Sequence, residues 1–563
     1  MRVVIVGGVA CGAKTAARLA RICPDAEITM LERGPDLSYA NCGFPFYVGG
    51  DVENLSALTH MPFGVMRDAE YFRNYAMTRA LTGYDVIRVD REKKEVTARV
   101  KETGEEKVFP YDKLVLATGA SPIRPNIPGL VPQPLENIHT LWTLRDAIAI
   151  RNSLERNEGV RRVVIVGAGL VGVETAEALK YRGLDVTLID ALESPLWALV
   201  GEEGGAMVEK QLRKNGVDFC GGEAVTAFLG EERVRKVVTD KREIDADLVL
   251  VSVGVRPNLD LAKEAGLDMG ERALRVDECM RTSDPDIYAG GDCVESLDII
   301  TGAHVWQPMG SVANRQGRVI ADNIAGIRST FTGVEGTAIV RVFNWTVGKT
   351  GLNWDGAVAA GFSPVEIWVS APDTPGFMAR SAPIFIWLLA DRTSRRLLGA
   401  RILGPGRVDK RIDLLAAAIR GKLTIDDLAD VDVAYAPPFS TALDPVTHTA
   451  NAMKNKMDGL MRSMGPLGLK RRAESGDDFL VLDVRTEGER KAMGELPYES
   501  LSIPLGELGK RLGELPKGRE IAILCKAGSR SWMAYTMLRA AGYEKTSVIE
   551  GGMLAWSYET KPV

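Results

Sequence analysis

The feature that most restricts what this chain can fold into is a strand, glycine turn and helix pattern that occurs twice. Val3–Val6 is an apolar run that leads into Gly7-Gly8-Val9-Ala10-Cys11-Gly12 and then into a helical pattern through Leu19. The next run, Glu27–Leu31, ends at Glu32, which lies 20 residues past Gly12 (32 − 12). That spacing suits a ribose-binding carboxylate following a phosphate-binding turn. The glycines let backbone N–H groups approach a pyrophosphate, and the helix N-terminus adds favourable charge. Val9 stands where the middle glycine of G-x-G-x-x-G belongs, so this copy taken alone also fits a tight turn without a ligand. A second copy is complete. Val163–Val166 precede Gly167-Ala168-Gly169-Leu170-Val171-Gly172, Glu174 falls in the helical run, and Val186–Ile189 ends at Asp190, 18 residues past Gly172 (190 − 172). Asp190 is expected to accept from a ribose 2′-OH, and with Ala191-Leu192-Glu193 bringing no arginine, NADH is expected ahead of NADPH.

At 563 residues the chain is too long for one core, and three or four domains are expected. A formal charge of −5 gives no support for a nucleic-acid partner or an anionic membrane surface. The strongest apolar run, Pro383 to Ala390, falls far short of the ~18 residues that a membrane span needs. Met1-Arg2 passes directly into a strand pattern, so no signal peptide and a cytoplasmic location are expected. Seven cysteines without a CxxC pair exclude a disulfide framework or zinc ribbon, and His60, His139, His304 and His448 are not at metal-ligand spacing, so no metal is expected.

Two further segments carry a family resemblance. Leu114-Val115-Leu116-Ala117-Thr118-Gly119 and Thr282-Ser283-Asp284-Pro285-Asp286-Ile287-Tyr288-Ala289-Gly290-Gly291-Asp292 resemble the ATG and YAxGD segments of two-dinucleotide flavin disulfide reductases. The resemblance implies an α/β chain with two Rossmann-like dinucleotide-binding domains, an α+β dimerisation domain and a C-terminal α/β rhodanese domain. It implies FAD at Gly7, Gly8, Gly12, Glu32, Arg33, Ala117, Thr118, Gly119, Gly291, Asp292 and Ala313, and the nicotinamide cofactor at Gly167, Gly169, Gly172, Glu174, Asp190 and Gly254. The expected boundaries are 1–150 with 260–325 for the split FAD domain, 151–259 for NADH, 330–450 for dimerisation, 451–473 for a linker rich in Met, Lys and Gly, and 474–563 for the C-terminal unit. A homodimer is expected.

The site within that frame is expected at Ser38-Tyr39-Ala40-Asn41-Cys42-Gly43-Phe44-Pro45. Dithiol members of the family carry CxxxxC, whereas position 47 here is Tyr47. A lone flavin-adjacent thiol needs an external sulfur or oxygen partner. The segment is similar to the single-cysteine branch: coenzyme A-disulfide reductases, persulfide reductases, NADH oxidases and NADH peroxidases. Oxidases and peroxidases place a histidine in the first glycine turn, where this chain has Ala10, so no acid–base group is available from that turn for O–O chemistry. Cys11 is expected to be a buried inert thiol, and Cys23, Cys220, Cys279 and Cys293 are likewise expected to be structural. Pro45 is expected to open a helix whose N-terminus lowers the pKa of Cys42.

The last segment resembles rhodanese. Phe479–Arg485 and Ile521–Leu524 read as strands, and the second leads through Cys525-Lys526-Ala527-Gly528-Ser529-Arg530 into a helix at Trp532–Ala541. Consecutive N–H groups around Cys525 form a cradle for a persulfide, with Lys526 and Arg530 adding positive charge. Within Val433-Ala434-Tyr435-Ala436-Pro437-Pro438-Phe439 the resemblance implies that Tyr435 donates a proton or orients substrate, whereas the partner loop around Phe377 lacks the family's second tyrosine. That loss favours persulfide or polysulfide over coenzyme A disulfide. Lys14, Arg18, Arg21, Ser38 and Asn41 match family positions along the coenzyme A path. Three readings remain: an NADH-dependent persulfide or CoA-disulfide reductase coupled to sulfur handling at Cys525, an NADH oxidase or peroxidase, and a slow redox-sensing flavoprotein.

Overall fold

The computed structural model describes residues 1–155 and 159–563. The chain forms two compact units, Met1–Ala191 with Gly216–Val334, and Leu192–Asn215 with Glu335–Val563.

In the first unit Arg2–Val6 is the central strand of a five-stranded parallel sheet. Glu27–Glu32 and Lys113–Leu116 flank it, and Thr78–Thr82 and Ile287–Ala289 form the edges. Val3 and Ile5 are fully buried. A strand covered on both faces has no polar alternation, and hence the unbroken valine and isoleucine run. Arg162–Val166 occupies the same central place in a second parallel sheet, between Asp185–Asp190 and Leu248–Val251, with Val217–Gly221 and Ile138–His139 outside them.

After the second sheet the chain returns to the first. Ile287–Ala289 joins its edge, and helix Gly310–Ile324 packs on helix Cys11–Ile22. They come close at Gly317, where a Cβ would sit 2.6 Å from the Cys11 carbonyl oxygen. The buried Thr15 hydroxyl donates to the carbonyls of Cys11 and Gly317 at 2.8 and 3.1 Å, and Arg18 Nε donates to the Asp322 carboxylate at 2.8 Å.

The second unit holds a five-stranded antiparallel sheet ordered Ala338–Val342, Trp345–Gly351, Leu397–Gly404, Pro383–Asp391, Pro364–Pro372. Helix Trp197–Lys214 lies in this unit, although its sequence position is inside the region expected to bind NADH. Its buried residues include Val200, Met207, Val208 and Leu212, and Arg401 donates to the Val200 carbonyl at 2.9 Å while Gln211 bonds Asn344 at 2.5 Å.

Residues 451–473, expected as a linker, are structured. Helix Pro445–Met457 covers the first part, strand Ser463–Met464 pairs with Thr546–Ile549, and helix Pro466–Glu474 follows. Leu469 is fully buried in one cluster with Phe479, Val481, Ile549 and Trp556. The composition hid this because the buried residues, Met453, Met461, Pro466 and Leu469, are few and scattered, and both prolines stand in the first helical turn, where proline is tolerated. The C-terminal sheet is parallel where strands pair, in the order Ser463–Met464, Thr546–Ile549, Glu520–Leu524, Phe479–Asp483, Ser500–Ser502.

An ion pair is locked inside the second unit. Arg411 and Asp444 are 1% and 2% exposed, and their bonds of 2.9–3.2 Å are joined by Ser440, whose hydroxyl donates to Asp444 at 2.6 Å. Burial pushes the Asp444 carboxyl up, but the bonds from Arg411, Ser440 and the Val446 N–H bring it below its ordinary value. Asp444→Ala strands the guanidinium and is expected to cost about 3–5 kcal/mol in denaturant unfolding, whereas the double change Arg411→Met with Asp444→Leu is expected to recover most of that loss.

Candidate active sites

The first glycine turn is closed from within. Gly7 has φ 104°, and a Cβ there would lie 2.1 Å from the Ala117 carbonyl oxygen; at Gly12 it would lie 1.8 Å from the Gly7 carbonyl oxygen. Glu32 stands at the rim, accepting from the Gly8 N–H at 2.8 Å and the Gly34 N–H at 2.7 Å. The second turn repeats this plan. A Cβ on Gly167 would meet the Ser252 carbonyl oxygen at 2.2 Å, one on Gly172 the Gly167 carbonyl oxygen at 1.9 Å, and Asp190 accepts from the Ala168 N–H at 2.6 Å. A Cβ on Gly169, in contrast, would meet nothing within 4 Å. Both turns therefore exclude side chains inward, and the second is bare outward, which is the shape a pyrophosphate requires.

The segment Ala117-Thr118-Gly119 is clamped by Asn258, a residue in no sequence motif. Its Nδ2 donates to the Thr118 carbonyl, and the Thr118 hydroxyl donates to the Asn258 carbonyl, each at 2.8 Å. The Asn258 N–H donates to the Gly119 carbonyl at 2.9 Å, and Ser121, which Arg33 approaches at 3.4 Å, donates to Asn258 Oδ1. Gly119 and Gly254, at φ 67° and 99°, border this segment with open space or a single 3.7 Å neighbour beside them. Gln316 was equally hidden in the sequence. It is fully buried, accepts from the Gly291 N–H at 2.8 Å and donates to Ser296 at 3.0 Å. These bonds hold the backbone next to Asp292, whose carboxyl burial pushes up to about 6 and whose carbonyl accepts from Trp306 Nε1 at 2.8 Å. Ala313 is buried near the start of helix Gly310–Ile324. For Asn258, a turn-prone Pro-Asn pair directly after a strand was the only available signal.

Cys42 lies in the 3₁₀ turn Asn41–Gly43, and Phe44–Gly49 continues it as a helix with Pro45 in the first turn. It is the exposed member of seven free thiols, whereas burial pushes the Cys11 thiol far up. A Cβ on Gly310, the first residue of the 15-residue helix Gly310–Ile324, would sit 3.8 Å from the Cys42 sulfur. The expected lowering of the Cys42 pKa is not found. Burial pushes the thiol up, and the nearby carboxylates of Glu174 and Asp292 add to this, outweighing the opposing backbone bond. The six-residue helix after Cys42 is too short to override two anions. Asn41 Oδ1 accepts from the Cys42 N–H at 3.1 Å and lies 3.8 Å from its sulfur, in position to accept from the thiol.

Of the residues matched to the coenzyme A path, Lys14, Arg18 and Arg21 share one helix face, but the Arg18 Nε is committed to Asp322. Ser38 adopts φ 47°, a left-handed conformation rare outside glycine, and its N–H donates to the Gly8 carbonyl at 2.9 Å. Tyr435 belongs to the second unit and is 52% exposed in an irregular stretch.

The second site lies in the other unit. Strand Glu520–Leu524 passes through Cys525 into helix Ser529–Ala540. Cys525 is buried, and the Gly528 N–H, at φ 106°, donates to its sulfur at 3.0 Å. Lys526 and Ser529 are exposed and Ala527 half-buried. Arg530, expected to add positive charge beside Cys525, does so as one half of an ion pair, and Cys525 is among the groups it interacts with electrostatically. Both its terminal nitrogens bond Glu489, at 2.8 and 2.7 Å, and pull that carboxyl down to about 2. Glu489 also completes the capping box of helix Glu487–Met493, so the helix start and the loop share one carboxylate.

Residues 1–310 match the family described as pyridine nucleotide-disulphide oxidoreductase, 337–446 its dimerisation domain, and 467–559 the rhodanese-like domain. A solved structure of a NAD-dependent persulfide reductase from A. fulgidus is 40% identical, covers 99% of this chain and 100% of its own, and superposes with a TM-score of 0.93. A Pyrococcus furiosus NAD(P)H sulfur oxidoreductase (CoA-dependent) is 36% identical over 457 residues, 80% of this chain and 99% of the relative. A Methanocaldococcus jannaschii NADH oxidase is 33% identical over 460 residues, 81% of this chain and 99% of the relative. No helix among the described residues is long and apolar enough to cross a membrane.

A carboxylate beside a thiol disfavours the thiolate, so removing it lowers the thiol pKa. Glu174→Gln is therefore expected to move the pH midpoint of Cys42 alkylation downward relative to the parent protein, as read by iodoacetamide labelling of the Cys42 peptide. An unchanged midpoint would show that Glu174 does not act on the sulfur.

Proposed function

The chain belongs to the pyridine nucleotide-disulphide oxidoreductases, and on that footing we propose that it is an NADH-dependent flavoenzyme that reduces persulfides or polysulfides at Cys42 and handles sulfane sulfur at Cys525. The observation that carries the reading is the solitary exposed thiol, placed where helix Gly310–Ile324 begins and beside Glu174 and Asp292, with Ala10 in the adjoining turn. The persulfide reductase from A. fulgidus supports the same reaction class, with this architecture over nearly its whole length.

The balance of the proposed reaction is R–S–SH + NADH + H⁺ → R–SH + H₂S + NAD⁺. FAD, when bound, relays the two electrons from the nicotinamide to sulfur. Gly7, Gly8 and Gly12 would hold its pyrophosphate, Glu32 its ribose, and Asp292 the end of the chain that Gln316 braces. Ala117, Thr118 and Gly119 would line its other side, fixed by Asn258. Gly167, Gly169 and Gly172 would hold the NADH pyrophosphate, Asp190 the ribose, and Glu174 would face the nicotinamide end. Residues 1–150 with 260–325 and residues 151–259, less the helix Trp197–Lys214, are assigned to these two cofactors.

The Cys42 thiolate attacks the outer sulfur of the persulfide, the S–S bond breaks, and the released R–S⁻ takes up a proton. The sulfur left on Cys42 departs as sulfide once two electrons arrive. Asn41 orients the thiol through its side-chain oxygen. Coenzyme A is the proposed carrier R, by analogy with the CoA-dependent P. furiosus relative, with Lys14 and Arg21 as phosphate contacts and Arg18 holding the helix that presents them. Tyr435 is assigned a proton-donating or orienting role in a homodimer, and the reaction is placed in the cytoplasm, where thiols stay reduced. A second reading, oxygen reduction, is carried by the NADH oxidase relative.

A side-by-side assay of NADH consumption with coenzyme A persulfide, coenzyme A disulfide, polysulfide, peroxide and oxygen alone tests the choice. Persulfide-dependent consumption with sulfide release is the expected result; consumption with oxygen alone overturns it. Cys42→Ser is expected to abolish the persulfide reaction and retain bound flavin. Asp190→Ser is expected to raise the KM for NADH about tenfold with little change in kcat, since it removes bonds made equally in ground and transition states.

A further inference from the structure

We infer that Ser370 and Glu550 are positioning residues for the chemistry at Cys525, so that the antiparallel sheet of the second unit, and not the C-terminal fold alone, sets the geometry of the sulfur-carrying loop. The inference rests on the reading of Cys525 as a sulfur carrier.

Strand Thr546–Ile549 runs directly into Glu550-Gly551-Gly552. Glu550 is 3% exposed, and a buried carboxylate is stable only when its lone pairs are met by donors. Two of its three donors come from outside the C-terminal sheet and its helices. The Trp368 N–H reaches Oε2 at 2.9 Å from strand Pro364–Pro372, and Lys456 Nζ reaches Oε1 at 2.6 Å from helix Pro445–Met457. The third is the Ser463 hydroxyl at 2.6 Å. Lys456 is itself fixed by the Glu366 carbonyl at 2.8 Å. Two residues along the same strand, the Ser370 hydroxyl donates to the Gly551 carbonyl at 2.7 Å. The turn is thus pinned at successive residues by a sheet to which it does not belong.

The turn passes that placement on to the loop. The Met553 N–H donates to the Cys525 carbonyl at 2.9 Å, and the Leu554 N–H to the Lys526 carbonyl at 3.0 Å. Gly552 leaves no slack, since at φ 60° a Cβ would meet the Cys525 carbonyl oxygen at 2.6 Å and the Ala527 nitrogen at 2.7 Å. The loop so held presents the Gly528 N–H to the Cys525 sulfur at 3.0 Å. A hydrogen bond weakens steeply with misalignment, so a shift of the turn reaches the sulfur as a loss of that bond.

The test uses the full-length protein with Ser370→Ala, which removes one hydroxyl, and Glu550→Gln, which keeps the shape of the side chain. Three quantities are read: sulfur uptake on the Cys525 peptide from glutathione persulfide without NADH, the pH midpoint of Cys525 alkylation, and NADH oxidation with polysulfide at Cys42. Both variants are expected to slow sulfur uptake about tenfold and to raise the alkylation midpoint, while NADH oxidation stays at the parent rate. Parent-like uptake and midpoint in both variants overturns the inference, as does a parallel fall in both activities, which marks general unfolding. If the parent protein takes up no sulfur at Cys525, the sulfur-carrier reading fails, and the alkylation midpoint alone then decides whether the sheet positions the thiol.

Discussion

A backbone can be laid against a pyrophosphate only where no side chain intervenes, and the first unit meets that demand twice. At Gly12 and Gly172 even a methyl group would collide with the carbonyl at the start of the same turn, at 1.8 and 1.9 Å. The rest of each half follows from that closeness. The turn must leave the middle of a parallel sheet, so its strand is buried on both faces, and the register that pairs Val6 with Leu31 and Val166 with Ile189 delivers Glu32 and Asp190 to the rim. Each carboxylate then bonds an N–H of the turn itself, at 2.8 and 2.6 Å. Strand, turn and acid are one device, and changing any of them disturbs the other two.

What the sequence made legible was what depends on neighbours in the chain. Both turns, the acid spacing, the lone Cys42 and the Cys525 loop could all be read because local geometry demands those residues. The dinucleotide architecture and its rhodanese-like appendage are as the residues implied. What escaped depends on partners far along the chain. Asn258 acts on Thr118 from 140 positions away, and Gln316 on Gly291 from 25. The helix Trp197–Lys214 carries no mark of the sheet it packs on, and the ordered stretch 451–473 shows only a composition typical of connectors. The partner of Arg530 escaped for a related reason, since Glu489 lies 41 positions earlier.

The electrostatics of Cys42 show the limit of arguing from one element. A helix start following a cysteine favours the thiolate by a modest amount, typically ~0.3–1 kcal/mol at an exposed site. Glu174 and Asp292 arrive from other parts of the chain and act the other way. The protein alone therefore disfavours the thiolate, and Asn41 Oδ1 lies where it can accept from the thiol. A thiol kept uncharged at rest is slow to oxidise.

The helix Trp197–Lys214 would complicate any attempt to transplant residues 151–259 as one piece. A graft of contiguous residues would carry with it a segment whose buried face was shaped by a different sheet, leaving Val200, Met207, Val208 and Leu212 uncovered in the new host and a matching groove in the donor. The proposed role of Asp190 is consequently better probed by point changes at the end of strand Asp185–Asp190 than by exchange of modules.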